Sequence, residues 1–181
     1  MSESIPVLSF VGRSKSGKTT LLEKVIRELK GRGYRLAVIK HHYHAGVAVD
    51  VPGTDTYRFA QVGADCVIMA APDQIMQMRR VTGDIALSDI VADVRDVDLI
   101  ITEGYKRAGA PKIEVHRREQ GSELVFRPEE LVAVASDEYL DLSVPQFDLD
   151  DAAGLADFIE HTFLSSGGVC SGAPSPCGPT D

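Results

Sequence analysis

The most constraining feature of the sequence is a glycine-rich segment near its amino end. Residues 12–19 read GRSKSGKT, which matches the pattern GxxxxGK[ST] at every fixed position. Residues 5–11 form an apolar run typical of a buried strand, and residues 19–30 carry leucine, valine and isoleucine at helical spacing. A strand, a glycine turn and a helix in this order predict a loop whose backbone N–H groups surround a phosphate.

The residues of this loop have separate chemical roles in that prediction. Gly12 and Gly17 permit a sharp turn and a close approach of the backbone to the ligand. Lys18 has the length to reach the β- and γ-phosphates of a nucleotide, and the Thr19 hydroxyl can bind Mg²⁺. The predicted nucleotide-binding residues of the loop are Gly12, Arg13, Ser14, Lys15, Ser16, Gly17, Lys18, Thr19 and Thr20.

A phosphate loop of this kind needs a carboxylate near its metal, and a second apolar run offers two. Asp98 begins the run VDLIIT, and Glu103 follows it. Five residues of strand span roughly 16 Å, so both carboxylates cannot serve one metal ion. Ligands collect at the carboxyl ends of parallel strands. We therefore predict that Glu103 lies on the metal side and that Asp98 lies at the opposite edge.

Three histidines, His41, His42 and His44, follow the predicted second strand. In a loop, His42 and His44 could converge while His41 points elsewhere. The cluster is compatible with a solvated polar loop, with contacts to a nucleotide or another anion, or with a metal site. The sequence contains no asparagine, so it lacks the NKxD element that recognises guanine in many GTPases.

Apolar runs alternate with helical patterns along the chain, which predicts a P-loop NTPase-like α/β fold with a mostly parallel sheet flanked by helices. Two strand-like runs around Pro72 and Asp73 predict an antiparallel insertion near residues 65–81. The predicted strands are 5–11, 35–40, 64–71, 74–81, 97–102, 112–116 and 131–136, and the predicted helices are 19–30, 55–62, 85–94 and 152–163.

We expect one nucleotide-binding domain over residues 1–164 and a disordered tail over residues 165–181, which are rich in Gly, Ser and Pro. Cys170 and Cys177 lie in that tail, and their spacing matches no common zinc pattern. They are compatible with exposed thiols, a redox pair or a metal site shared between molecules. Cys66 lies in an apolar run and is predicted to be a core residue.

The formal net charge of −8 argues against non-specific binding to nucleic acid or to an anionic membrane, because both require a basic surface. The amino-terminal residues lack the basic segment of a signal peptide, and no uncharged apolar run is long enough to span a bilayer. We therefore expect a cytoplasmic protein.

Taken in order, these segments resemble the MobB family of molybdopterin-guanine dinucleotide biosynthesis adapter proteins. The resemblance extends from about residue 5 to residue 163. It is carried by GRSKSGKTTLLEKVI, VIKHHYH, DVPGTDTYRFAQVGA, DLIITEGYK, PKIEVHR and AVASD.

The resemblance implies a GTP-binding protein with weak or no intrinsic GTPase activity and therefore no catalytic residue of its own. Such a protein assists the guanylyltransferase that joins GMP to molybdopterin, in contact with other molybdenum cofactor proteins. It also implies a homodimer whose subunits share sheet strands, which suits the predicted insertion because exposed edges favour pairing.

The resemblance also assigns roles to residues outside the phosphate loop. It implies that Glu103 and Thr19 hold Mg²⁺ and that Asp137 contacts the base. The residues implied to line a groove for nucleotide or pterin cofactor are His41, Asp55, Arg58, Lys106 and Lys112. Two positions depart from the family pattern: Thr54 replaces a common lysine, and Lys15 replaces a common glycine.

Two other functions remain compatible with the sequence. A small-molecule kinase or an ATP-dependent ligase of the dethiobiotin-synthetase type shares the phosphate loop and a Glu-Gly pair at a strand end. A kinase must exclude water, usually with an arginine-bearing lid. The candidate basic stretch, Met78 to Arg80, lies in a predicted strand. A metallochaperone GTPase would instead use His41, His42 and His44 to bind its metal.

Overall fold

Strands and helices alternate along the chain in a computed structural model that describes residues 4–44, 46–47 and 49–165. The strands are β1 Val7–Val11, β2 Leu36–Lys40, β3 Cys66–Ala71, β4 Gln74–Arg79, β5 Leu99–Glu103, β6 Lys112–His116, β7 Leu131–Ser136 and β8 Gln146–Asp148. The α-helices are α1 Lys18–Gly31, α2 Asp55–Gln61, α3 Leu87–Val91 and α4 Ala152–Ile159. Short 3₁₀ turns cover Arg118–Gln120 and Pro128–Glu130, and a π-helical turn, Glu160–Leu164, continues α4.

The described chain divides into two compact units. One contains the residues up to Lys40 together with those from Arg95 onward, and the other is His41–Val94. The first unit holds a six-stranded sheet in the spatial order β2-β5-β1-β6-β7-β8, in which every pair of neighbours is parallel. Because parallel strands end at the same edge, the residues after all six strands lie along one side of the sheet. The mostly parallel α/β fold is thus confirmed.

The core of the first unit lies between one face of this sheet and two helices. Leu8 and Phe10 of β1 pack with Leu22 of α1 and Leu155 of α4, and all four are fully buried or nearly so. The amphipathic pattern of α1 supplies this contact, because its leucine and valine positions recur on one side. A smaller cluster around Val11 and Val134 covers the opposite face, together with residues of the segments that connect the strands.

The second unit contains the predicted antiparallel insertion. Strands β3 and β4 pair with Ala71 opposite Gln74, so Pro72 and Asp73 form the two-residue turn between them. Helix α2 begins after Thr54, whose hydroxyl accepts a hydrogen bond from the Tyr57 amide at 3.2 Å. Thr54, one of the two departures from the family pattern, is therefore a helix cap, a role for which threonine is well suited.

The structure corrects two of the sequence-based predictions in this unit. Cys66 is exposed and does not belong to the core. The side chains of β3 alternate between the faces of a two-stranded ribbon, and Val67 occupies the covered face instead. The helix predicted over residues 85–94 is restricted to Leu87–Val91, because the amides of Asp93 and Val94 bond only three residues back.

Two further differences concern the carboxyl-terminal part of the chain. Strand β8 was not predicted, since three residues after Pro145 give too short a pattern. The closing helix is α-helical only as far as Ile159 before its hydrogen bonding changes to the π pattern. Cys170, Cys177 and all but the first residue of the predicted tail lie outside the described residues. Among the helices that are described, none is long and apolar enough to cross a membrane.

Candidate nucleotide-binding site

The glycine-rich segment forms a tight loop between β1 and α1. Gly12 has a φ of 136°, and a Cβ there would overlap the carbonyl oxygen of Val115 in the neighbouring strand. Gly17 has a φ of 92°, a backbone conformation that residues other than glycine rarely adopt. Lys15 also has a positive φ, 63°, a conformation that favours glycine, the residue that the resemblance implies for this position.

The side chain of Lys18 folds back over this loop. Its ammonium donates hydrogen bonds to the carbonyl oxygen of Arg13 and, at 3.4 Å, to that of Gly12. Burial lowers the pKa of Lys18; the positive charges of Lys106 and Lys40 also lower it, while Glu103 opposes them. The ammonium is therefore partly desolvated and lies close enough to Glu103, Lys106 and Lys40 for their charges to act on it. An anion at the centre of the loop would offer it both charge and acceptor atoms.

The residues predicted to hold the metal lie in the first turn of α1 and at the end of β5. The Thr19 hydroxyl lies 3.1 and 3.2 Å from the two carboxylate oxygens of Glu103. Lys40, at the end of β2, places its ammonium 3.2 Å from each of the same oxygens. A hydroxyl and a shielded carboxylate on adjacent elements form the oxygen donor set that Mg²⁺ prefers. The residues present thus fit a magnesium ion.

Asp98 lies at the amino ends of the strands, opposite to the end that carries Glu103, as its spacing from Glu103 predicted. Its carboxylate accepts hydrogen bonds from the backbone amide of Arg35 at 2.7 Å and from the Arg35 guanidinium at 2.8 Å. The Arg35 side chain holds the pKa of Asp98 below its ordinary value. Asp98 therefore joins the amino ends of β2 and β5, far along the strand from Glu103.

A cleft of about 200 Å³ opens on the side of the loop toward β6, β7 and β8. Its lining residues come from α1 and from the ends of those strands: Gly17, Thr20, Leu21, Lys24, Arg117, Asp137, Asp148, Leu149 and Asp150. The Arg117 guanidinium lies 3.8 Å from the Asp137 carboxylate, and it also lies beside the backbone of Gly17. Asp137 and Gly17 thus line the same cleft.

The structure places the five residues of the implied groove in different surroundings. Lys106 follows β5, and its charge acts on Lys18. Lys112 begins β6 opposite Ser9, so it lies toward the amino end of that strand, and its ammonium stands over the ring of Phe126. His41, Asp55 and Arg58 belong to the second unit, where Asp55 and Arg58 form an exposed ion pair of 3.5 Å.

The histidine loop at the start of the second unit has the arrangement anticipated from its spacing. The backbone amide of His44 donates to His42 Nδ1 at 3.3 Å, and the two rings are 5.7 Å apart. The His41 ring instead packs edge-on against Tyr43. Within the described residues, no group of three or more histidine, cysteine or acidic side chains is placed to hold a metal ion.

Several residues of the site were not identified from the sequence. Arg117 directly follows β6, Asp148 ends β8, and Lys40 ends β2. The strand-end rule that identified Glu103 would have indicated Arg117 and Lys40 as well, had it been applied to every strand. Asp148 and Asp150 could not be found in this way without β8. Lys24, which pairs with Asp150 at 2.7 Å, follows the phosphate loop by less than two helical turns.

Comparison with known proteins gives a consistent result. The family model for molybdopterin guanine dinucleotide synthesis protein B, MobB, matches residues 7–137. The molybdopterin-guanine dinucleotide biosynthesis adapter protein of Escherichia coli is 39% identical over 165 residues, covering 86% of this chain and 91% of that protein. The Haemophilus influenzae protein of the same name is 38% identical over 164 residues, covering 89% of this chain and 91% of its own.

Solved structures show the same relationship. A molybdopterin-guanine biosynthesis protein B superposes with a TM-score of 0.64 at 33% identity, covering 86% of this chain and 98% of its own. Bacillus subtilis MobB superposes with a TM-score of 0.71, covering 88% of this chain and 99% of its own; at 23% identity it supports the fold alone. The chain therefore belongs to the MobB family of molybdopterin-guanine dinucleotide synthesis proteins.

Proposed function

We propose that this protein is a GTP-binding adapter in the biosynthesis of molybdopterin-guanine dinucleotide. It binds GTP with Mg²⁺, hydrolyses it slowly or not at all, and assists the guanylyltransferase that attaches GMP to molybdopterin. It works in the cytoplasm as a homodimer, in contact with other proteins of molybdenum cofactor assembly. Membership of the family and the names of the Escherichia coli and Haemophilus influenzae relatives support the adapter role.

The observation that carries the nucleotide part of this proposal is the position of Thr19 between the phosphate loop and Glu103. The Thr19 hydroxyl and the Glu103 carboxylate are 3.1 Å apart at their closest, on the side of the loop where a terminal phosphate would lie. Loop amides and the Lys18 ammonium bind the phosphates, while Thr19 and Glu103 hold the Mg²⁺. The metal, when bound, neutralises phosphate charge.

A preference for guanine is supported by the acidic lining of the neighbouring cleft. Guanine presents two donors, its ring N1–H and its 2-amino group, whereas adenine presents an acceptor at N1. An ionised carboxylate only accepts hydrogen bonds. Asp137, which directly follows β7 and lines the same cleft as Gly17, would accept such donors. Arg117, 3.8 Å from Asp137, offers a planar cation on which a base can stack.

We propose a role for each of the five residues of the implied groove, unit by unit. In the first unit, Lys106 adds positive charge beside Lys18. Lys112 is proposed as a support for β6, since its ammonium is directed at Phe126 and at the Ala110 carbonyl oxygen. In the second unit, His41, Asp55 and Arg58 are proposed as contacts for the nucleotide or the pterin cofactor.

The exposed face of the β3–β4 ribbon supports the homodimer. The side chains of Ile68 and Ile75 are 60% and 74% exposed and lie on the same face of the ribbon. In the described chain, β3 and β4 pair only with each other, so the outer edge of each strand can accept another strand. Edges and apolar faces of this kind are normally covered in the functional assembly.

Nucleotide titration with parallel measurement of turnover tests this function. GTP and ATP are titrated into the purified protein by calorimetry, each with and without Mg²⁺, and released phosphate is followed separately. We expect saturable GTP binding that Mg²⁺ strengthens, weaker ATP binding and negligible phosphate release. The Lys18→Ala variant should lose at least about tenfold in GTP affinity, because a charged contact to phosphate contributes 1.5–3 kcal/mol or so.

Lys30→Ala is the matched control, because Lys30 lies on the same helix but reaches the Tyr34 carbonyl oxygen at the other end. It should bind GTP as the wild type does. Equal affinity of Lys18→Ala and the wild type would refute the phosphate site. Equal affinity for GTP and ATP, together with fast phosphoryl transfer to a small acceptor, would instead indicate a kinase or ligase.

A further inference from the structure

Lys40 forms the main ion pair of the carboxylate that is proposed to hold the metal. It is the last residue of β2 and stands opposite Glu103 in the register of the parallel pair β2–β5. Its ammonium is 3.2 Å from both carboxylate oxygens, the same two atoms that the Thr19 hydroxyl contacts. Lys40 therefore occupies acceptor atoms that a magnesium ion at this site would need.

The two side chains of this pair differ greatly in exposure. The Glu103 side chain is 12% exposed, whereas that of Lys40 is 58% exposed. Glu103 is thus held between the first turn of α1 and the end of β2, and it has little freedom to leave. Lys40 carries its ammonium on a flexible four-carbon stem in contact with water, so the lysine is the partner that can move.

A magnesium ion and the Lys40 ammonium cannot share Glu103 without a cost. Mg²⁺ binds carboxylate oxygen at about 2.1 Å in a nearly octahedral arrangement, and this would bring it within a few ångströms of the ammonium. Two cations so close repel each other, and the carboxylate supplies only one negative charge. When Mg²⁺ binds at Thr19 and Glu103, Lys40 has to release the carboxylate and find another anion.

The surroundings offer one suitable destination. The charges of Lys106 and Lys40 both act on Lys18. Three lysine ammonium groups therefore lie near two carboxylates, Glu103 and Glu114. A nucleoside triphosphate would bring the additional negative charge, and its terminal phosphate is the part nearest to the metal. A diphosphate would bring Mg²⁺ to the same carboxylate without supplying that terminal phosphate.

We propose that Lys40 is a positioning residue that exchanges Glu103 for the terminal phosphate when Mg²⁺ and a nucleoside triphosphate bind. This inference rests on the proposed function, since it assumes that the loop binds a magnesium nucleotide. In the absence of metal, Lys40 neutralises Glu103. With Mg²⁺ and a triphosphate, it stabilises the terminal phosphate. A diphosphate lacks the γ-phosphate that Lys40 would contact, so with Mg²⁺ and a diphosphate the lysine only repels the metal and lowers its affinity. Lys40 thereby discriminates the triphosphate from the diphosphate.

Two variants of Lys40 test this exchange, one that removes the charge of the side chain and one that changes its geometry. Lys40→Met keeps the length of the side chain without its charge, and Lys40→Arg keeps the charge but adds a bidentate fork. The affinities of full-length protein for GTP and GDP are measured by calorimetry. Mg²⁺ is also titrated against a fluorescent GDP analogue. The Mg²⁺ concentration at which the affinity for this analogue has risen by half of its full increase is the magnesium midpoint.

We expect the two variants to shift the magnesium midpoint in opposite directions. In Lys40→Met, the midpoint with GDP should fall about two- to fivefold, the range that loss of a competing exposed ion pair gives. In Lys40→Arg, the midpoint should rise, because a guanidinium holds the carboxylate in two places. Lys40→Met should also lose about tenfold or more in affinity for magnesium GTP but not for magnesium GDP.

Arg35→Met is the matched control, since it removes an ion pair between the same two strands at their amino ends. It should change neither the midpoint nor the ratio of GTP to GDP affinity. An unchanged midpoint and ratio in Lys40→Met would overturn this inference while leaving the proposed function intact. Absence of nucleotide binding by the wild type would remove both, so the two failures are distinguishable.

Discussion

At the scale of single residues, Asp137 carries the prediction of base preference. Its Oδ1 accepts a hydrogen bond from the Arg118 amide at 2.9 Å, and its Oδ2 lies 3.8 Å from the Arg117 guanidinium. In Asp137→Asn, the amide presents a donor where the carboxylate presents an acceptor. We expect GTP affinity to fall about tenfold to hundredfold, since one bidentate base contact contributes about 1–3 kcal/mol.

The same variant should gain affinity for xanthosine triphosphate, whose base carries a carbonyl oxygen in place of the 2-amino group of guanine. Competition of GTP, ATP and xanthosine triphosphate against a fluorescent nucleotide measures all three affinities at once. Asp141→Asn removes an equal charge at an exposed position and should leave their order unchanged. If Asp137→Asn retained the wild-type order, Asp137 would not contact the base.

Single residues of the phosphate loop could be predicted from the sequence, whereas the proximity of Arg117, which reaches the loop from another strand, could not. Gly12 and Gly17 were predicted to turn the chain, and both have positive φ angles. That prediction succeeded because the chemistry of a phosphate loop is local: neighbouring residues form it. Arg117 was missed because it reaches the loop across the sheet, 100 residues from Gly17 in the chain. Its place directly after β6 can be read from the sequence, but its proximity to Gly17 depends on β6 being the neighbour of β1, and no local pattern reports that.

At the scale of elements, β6 holds a buried carboxylate that secures the segment after it. Glu114 is almost inaccessible, and its two oxygens accept the amides of Val125 and Phe126 at 2.7 and 3.0 Å. Burial raises the pKa of Glu114 above its ordinary value of 4.5, although these two hydrogen bonds act in the opposite direction. The segment it anchors also contacts the phosphate loop, because Arg13 donates to the Glu123 carbonyl oxygen.

We expect this carboxylate to make the stability of the protein depend on pH. Just above pH 4.5, the native state still binds the Glu114 proton that the unfolded state has released. The free energy of unfolding therefore falls as pH rises through the raised pKa. Glu114→Gln removes this dependence and, by leaving one amide poorly paired, destabilises the protein by about 1–3 kcal/mol.

Urea unfolding at a series of pH values, from about 4.5 upward, measures the effect. The excess stability of the wild type over Glu114→Gln should decrease as pH rises, since only the wild type carries the titrating group. Glu119→Gln, an exposed position in the same segment, is the control and should keep the wild-type profile. If the difference in free energy of unfolding between the wild type and Glu114→Gln stayed constant or increased with pH, the prediction would be contradicted.

Most elements could be predicted because their patterns are strong and bounded. Strands β6 and β7 have the predicted limits, residues 112–116 and 131–136, since each is a run of buried residues between turn-forming segments. Strand β8 could not be predicted because three residues do not establish a period. It is nevertheless important for the site, since its end contributes Asp148 to the cleft.

At the scale of the whole molecule, the order of the strands decides what the site can bind. Strand β1 lies between β5 and β6, so the phosphate loop has Glu103 on one side and Arg117 on the other. The sequence predicts parallel strands, but it does not state this order, because pairing joins residues that are distant in the chain. The separation between the proposed metal side and the proposed base side follows from this topology.

The exposed face of the β3–β4 ribbon predicts how two chains assemble. Ile75 is 74% exposed and lies opposite Ala70 on the ribbon face that also carries Ile68. If two chains join through this ribbon, Ile75→Lys places a charge in the interface and should convert the dimer to a monomer, because an unpaired buried charge is costly. Light scattering after size-exclusion chromatography measures the mass directly. Tyr139→Lys, at a residue 83% exposed in the other unit, should remain dimeric. A wild-type chain that is monomeric at all concentrations, or an Ile75→Lys variant that keeps the dimer mass, would exclude the ribbon as the interface.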